Sequence, residues 1–292
     1  MKTNVECMIC NIKQLLKVSK RLNVDKDLEQ KTAKQVFEMM SQIEFNESNP
    51  LVMSKTWDIV TRSFNNANPY KELKQMYNEL LLSVYDETDV LIQNDKDAFK
   101  AALKMSIIGN LIDLGAKHTF TKQDVLNKIK NYKTIELAID SSQRLKEQVM
   151  DAQTLLYIGD NCGEIVLDKL FIKTLKRLNA DLTVYFAVRG GPIINDVTIE
   201  DAKMVHMEDV AHVISSGVAA PGTLLEQLSD TFVDLFHQAD VVIAKGQGNY
   251  ESLSEIDKDN LFLVLMAKCE LVANTLGVGL LDIVVKQNKL SE

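Results

Sequence analysis

The feature that most constrains this chain is a change of hydrophobic period near Asp151. Beyond it, the short β-branched runs TLLYIG, LTVYFAV, HVISSG, DVVIAKG, LFLVLMAK and DIVVKQ alternate with helical stretches. Several of these runs are apolar at every position, as strands buried on both faces of a parallel sheet must be. That alternation predicts a doubly wound α/β domain over residues 151–292, with a mostly parallel sheet. Residues 1–150 read instead as an N-terminal helical domain. There Asn68 is expected as an N-cap with Pro69 at the first helical position, followed by Leu73, Met76, Tyr77, Leu80, Leu81 and Val84 at helical spacing. Phe99, Ala102, Leu103, Ile107, Leu111 and Leu114 mark another helix that Gly115 suits as a cap, and Thr121 with Asp124 forms a capping box opening the next.

Charge narrows the partners. With 33 basic against 41 acidic residues the chain carries −8, and no basic stripe interleaves with aromatics, so nucleic acid is a poor partner. A small anionic substrate would need local help from a metal ion or a helix N-terminus. The longest uninterrupted apolar run, Leu261 to Ala267, is too short to span a bilayer, and the N-terminus has no signal-peptide core, which leads us to expect a cytoplasmic protein with no membrane partner. Nothing in the sequence specifies an oligomeric state.

In a doubly wound sheet, ligands bind outside the carboxyl ends of the strands, so the turns there are where chemistry belongs. The first is Gly159-Asp160-Asn161-Cys162-Gly163-Glu164. Asp160 and Asn161 offer a carboxylate and an amide oxygen, hard ligands for a divalent cation; equally, either residue can cap the helix that follows. The second turn runs from Arg189 through Gly190, Gly191, Asn195 and Asp196 to Thr198. Asp196 can supply a second carboxylate or simply form a turn, while Asn195 and Arg189 can meet phosphoryl oxygens. Thr198 and Asp201 form a capping box, which makes Asp201 structural. The third turn, Lys245-Gly246-Gln247-Gly248-Asn249, combines a cation with glycines that expose backbone N–H groups, without the spacing of a Walker A loop. Cys7 and Cys10 form a lone CxxC that fits small core residues better than zinc or redox chemistry, since no second ligand pair exists. Asn110, on the apolar face of its helix with Asp113 beyond it, either caps a loop of the sheet domain or closes over a substrate.

Together, GDNCGEIVLD, RGGPIINDVTIEDA and KGQGNYESL resemble the DUF89 family of damage-control, ARMT1-like metal-dependent phosphatases. ECMIC, NPYKELK and IIGNLIDLG are similar to its CxxC-bearing bacterial and archaeal branch, and the resemblance runs from about Glu6 to the C-terminus. It implies a helical bundle on a Rossmann-like domain and one divalent ion, Mn²⁺, Mg²⁺, Ni²⁺ or Co²⁺, held by Asp160, Asn161 and Asp196. It also implies that Lys245 lies near the phosphate and that the reaction is hydrolysis of phosphate monoesters such as sugar phosphates or damaged phosphometabolites.

Phosphoryl transfer asks mainly for positioning and charge neutralisation. The sequence therefore predicts a metal that polarises the phosphoryl oxygen and activates water, with Asp160, Asp196 and Lys245 as the catalytic groups. Glu164, Arg189, Asn195, Gly246 and Asn110 are expected around the small phosphorylated metabolite. A covalent aspartyl-phosphate is a weaker option, because GDNCG lacks the second Asp of a DxD. The rival readings are a Rossmann-type S-adenosylmethionine methyltransferase, which lacks its GxGxxG, and a non-catalytic sugar-phosphate-binding protein.

Overall fold

The computed structural model describes residues 1–111 and 121–289, the side chains of Asn110 and Leu111 excepted. The Asn110 side chain, Asp113 and the Gly115 cap named above thus lie outside the described part. The helical part comprises α1 (Val5–Leu22), α2 (Lys26–Ser41), α3 (Asn49–Ser63), α4 (Lys71–Leu82), α5 (Tyr85–Gln93), α6 (Ala98–Leu111) and α7 (Lys122–Lys130). Then follow β1 (Leu137–Asp140), α8 (Ser142–Asp151), β2 (Thr154–Ile158), α9 (Glu164–Leu178), β3 (Thr183–Val188), α10 (Ile199–Met204) and β4 (His212–Ser215). The chain continues through α11 (Asp230–Gln238), β5 (Val241–Lys245), α12 (Gln247–Leu253), β6 (Leu261–Met266), α13 (Glu270–Leu276) and β7 (Ile283–Gln287).

All six expected strands form, and they join β1 in a seven-stranded sheet of order β1-β7-β6-β5-β2-β3-β4. Every pairing is parallel except β6 with β7. From β2 the chain winds outward through β3 and β4, then returns to β5 on the other side of β2. The switch point thus falls between β2 and β5, the place where sheets of this kind bind their ligands. No helix among the described residues is long and apolar enough to cross a membrane.

Two sequence expectations change. Leu137–Asp140, within the stretch read as helical, is a strand paired with β7 at the sheet edge. Pro69 does not open a helix, because Asn66–Lys71 turns so that Lys71 N donates to the Asn68 carbonyl (3.2 Å) and α4 starts two residues later, with Tyr70 as its uncapped N-cap residue. Tyr70 is instead drawn inward, stacked on Trp57 with its hydroxyl accepting from Gln14 Nε2 at 3.0 Å. The Thr121–Asp124 capping box is present as expected.

Period-two alternation sends Leu155, Tyr157, Val241 and Ile243 to one face of the sheet, under α6 and α9. Leu156, Ile158, Val242 and Ala244 face the other side, packed with α11, α12 and α13. The first core runs without a break from Tyr77 in α4 through α6 and α9 into the strands, so the helical part is built onto the sheet. By the same parity Lys245, two residues after Ile243, must point toward α6 and α9. A third cluster joins α1, α2 and α3 to Ile193, and Trp57 Nε1 donates to the Pro192 carbonyl at 2.9 Å.

Helices α6 and α9 meet most closely at Gly109, where an added Cβ would lie 2.5 Å from the Glu164 Cα. In an exposed helix Gly→Ala stabilises by about 1 kcal/mol. Here Gly109→Ala is expected to destabilise by about 1–3 kcal/mol through overpacking, read as a lower midpoint in urea denaturation.

Candidate functional site

The turn after β2 places Asp160 and Asn161 at the switch point. The N-cap residue of α9 is Gly163, at φ 82, so neither Asp160 nor Asn161 caps that helix. The exposed amide of Gly163 is met from the helical part, by Asn78 Oδ1 at 2.6 Å. This removes the capping explanation for both side chains, which meet each other instead, Asn161 Nδ2 donating to Asp160 Oδ2 at 2.5 Å.

The β3–α10 loop comes alongside. Asn161 and Asp196 form an antiparallel bridge, Val197 N donates to the Asp160 carbonyl (2.9 Å) and Cys162 N to the Asn195 carbonyl (3.0 Å). Holding this course requires Ile194 at φ 45, a conformation strained for a β-branched residue. Asp160 and Asp196 are both buried, at 7% and 4% exposure. Burial first, then the neighbouring Asp196 and Glu164 carboxylates, push Asp160 up to about 7, while Lys268 and Arg189 act in the opposite sense. Burial also raises Asp196, against the pull of Arg189.

Arg189 backs the pair. Its Nε donates to Asp196 Oδ2 at 2.7 Å and its Nη1 to Asn249 Oδ1 at 3.1 Å. Its Nη2 is buried without a hydrogen-bond partner among the described residues, 4.0 Å from Asp160 Oδ1. Gly246, at φ 84, lies directly under Asp160, and an added Cβ would come 2.0 Å from its Oδ2. The Gly246 N–H is already given to the Val264 carbonyl, so this glycine contributes room for the carboxylate rather than a donor for phosphate.

Three residues expected around the substrate are engaged within the protein. Lys245 Nζ donates to Glu164 Oε1 (2.7 Å), Asp168 Oδ1 (2.6 Å) and the Ser106 carbonyl (3.1 Å). An ammonium has three N–H groups, and at 1% exposure Lys245 has none left for a ligand. Burial opposes its charge, but Asp168 and Glu164 outweigh burial and raise its pKa. Glu164, fully buried, turns its other oxygen to Asn161 Nδ2 at 3.2 Å. Asn195 Nδ2 donates to Asn161 Oδ1 at 2.6 Å. Asp201 is structural as expected, accepting from Thr198 and, at 2.7 Å, from the buried Lys74. Cys7 is buried as a core residue, whereas Cys10 is exposed, against the expectation for both; Cys7, Cys10, Cys162 and Cys269 are all free thiols.

Sequence reasoning missed several participants. Lys268, exposed just beyond β6, extends its charge to both Asp160 and Asp196. Asn249 joins Arg189, Thr223 Oγ1 (2.9 Å) and the Lys245 carbonyl (2.7 Å). Asp168 was legible as an acid four residues after Glu164 on an apolar helix.

Two buried carboxylates that repel each other, with an amide oxygen beside them, make a hard-oxygen donor set that fits a divalent cation. Among the described residues no group of three His, Cys, Asp or Glu could hold a metal, so such a site must recruit the Asn161 amide.

The chain matches the family model of the damage-control phosphatase ARMT1-like domain over residues 3–284. It is 34% identical over 291 residues to the damage-control phosphatase of Pyrococcus horikoshii, covering 99% of each chain. It is 35% identical over 221 residues to a damage-control phosphatase of Archaeoglobus fulgidus, covering 75% of each. The crystal structure of a DUF89 family protein from Pyrococcus horikoshii superposes with a TM-score of 0.92 at 33% identity, covering 99% of this chain and 100% of that one.

A carboxylate whose folded pKa is raised contributes stability that is present below its unfolded value and is lost as pH rises through the folded one. For Asp160 that window runs from 3.8 to about 7. Asp168, which burial and Glu164 raise to about 7 against Lys245, acts in the same sense. In chelator, calorimetry is expected to give a Tm lower by about 5 °C at about pH 8 than at about pH 5.5. Asp160→Asn should shrink the difference.

Proposed function

Since the chain belongs to the family of damage-control phosphatase ARMT1-like domains, we propose that it is a metal-dependent phosphatase hydrolysing small phosphate monoesters, either sugar phosphates or damaged phosphometabolites. The observation that carries this reading is the pairing of two buried carboxylates with an amide oxygen at the sheet's switch point, beside an exposed lysine. Asp160, Asn161 and Asp196 hold the ion, for which Mn²⁺, Mg²⁺, Ni²⁺ and Co²⁺ are the candidates. When bound, it supplies Lewis-acid charge for the phosphoryl group and acidity for the attacking water.

The chain's own groups do the rest. Arg189 fixes Asp196 through its Nε and limits the charge of the carboxylate pair. Asp160 and Asp196 are the only acids of the set able to orient the water, because Glu164 and Asp168 are committed to Lys245. Lys268, exposed and close enough for its charge to act on both carboxylates, binds the phosphate oxygens as a point charge. Residues 1–150 form the wall of the site and residues 151–292 its chemistry, with Asn78 and Ser106 reaching across. The four free thiols suit a reducing cytoplasm.

A screen of sugar phosphates and damaged cofactor phosphates against several divalent ions tests the proposal. Activity is expected only with added ion, with Asp160→Ala losing at least about 10³-fold in kcat. Lys268→Ala is expected to lower kcat/KM about 10–100-fold. Full activity of Asp160→Ala would overturn the assignment.

A further inference from the structure

An asparagine can ligate a cation only through Oδ1, yet its two amide ends have nearly the same shape. Whichever groups hold Nδ2 therefore decide whether Asn161 is a ligand. Its Nδ2 donates to Asp160 Oδ2 at 2.5 Å and Glu164 Oε2 at 3.2 Å, and its Oδ1 accepts from Asn195. Of these two acceptors Asp160 is itself a proposed ligand, so Glu164, fully buried with Lys245 Nζ donating to its other oxygen at 2.7 Å, is the one that the cation does not claim. Lys245 is in turn fixed by Asp168, which also accepts from Tyr157 Oη at 2.6 Å.

We propose that Glu164, polarised from behind by Lys245, is a positioning residue that sets the Asn161 amide with its oxygen toward the cation. The inference rests on the metal-site reading above and deepens it. The donor order runs in one direction, from the Lys245 ammonium to Glu164 Oε1 and from the Asn161 amide to Glu164 Oε2, so Glu164 must accept at both ends. A glutamine at 164 cannot. Lys245 would claim its carbonyl oxygen, leaving its NH₂ facing the NH₂ of Asn161, and the asparagine amide would turn over to relieve the clash. An aspartate at 161 has oxygen at both ends and needs no orientation.

The test is a double-mutant cycle read as Mn²⁺ affinity of the full chain, by electron paramagnetic resonance of the free ion, without substrate. E164Q is expected to weaken Mn²⁺ binding about 10–100-fold in the natural background, the range for losing a group that orients a ligand. In the N161D background the same E164Q change should alter affinity by less than about threefold. The Tm in chelator, taken for all four proteins, identifies any variant that fails to fold, and Glu164→Ala then serves as the alternative removal of the acceptor. Equal weakening by E164Q in both backgrounds would mean that Glu164 acts through its charge alone, and would overturn the proposal. So would wild-type affinity in E164Q. Absence of Mn²⁺ binding in the wild type would overturn the metal-site reading itself, and this inference with it.

Discussion

The Lys245 ammonium is the contact on which the rest of this structure hangs. It ends β5 at the sheet's switch point, yet parity points it inward, where α6 and α9 meet it through Ser106, Glu164 and Asp168, and Tyr157 of β2 donates its hydroxyl to the same Asp168. Glu164 and Asp168 are successive acids on one buried face of α9 and repel each other. Only a cation between them makes that face tolerable. An apolar cluster of equal volume would in general be as stable or more so, so the ion network is better understood as a specification of geometry than as a source of stability. What it specifies is the start of α9, three residues beyond Asn161.

The site itself is a problem of charge. Asp160 and Asp196 come from two neighbouring strands and meet with Arg189 as their nearest cation, bonded to one and 4.0 Å from the other. The loop that carries Asp196 is held in place by a strained Ile194, a Trp57 hydrogen bond to Pro192 and a bridge to Asn161. Gly246 lets the strand beneath come close enough that Asp160 rests on backbone. The protein thus forces two carboxylates together, out of water, with less positive charge than they require. The donor set fits a divalent cation, which is the ion the proposed function assigns to it.

How much of this was legible depended on whether the signal was local. The six expected strands were readable because both faces of a parallel sheet are buried, which leaves continuous apolar runs. LAID was not, being a four-residue edge strand with alternate residues exposed, set among helical patterns. The three loops were found because strand ends in such sheets carry the ligands, and Asp160, Asn161 and Asp196 do converge. Lys245 was located but not its surroundings: a lysine beside glycine looks like a phosphate cradle until α9 is folded against it, and Asp168 lies 77 residues away in sequence. Strand parity, applied past Ile243, already pointed it toward α6 and α9. Lys268 carries no motif, and only the topology, which puts β6 beside β5, brings its charge to the carboxylates.

The helical part, which looks dispensable beside a sheet that carries the acids, is tied into the site at several points. Asn78 satisfies the amide at the turn of the first loop, Lys74 neutralises the capping acid of the second, and Ser106 completes the coordination of Lys245 beneath the third. Each contact brings a partner from the helical part to a buried polar group of the α/β half, and a group left unsatisfied there would cost about 1–3 kcal/mol. The three loops are therefore anchored to the helices as well as to the sheet, although the sequence changes character between the two halves.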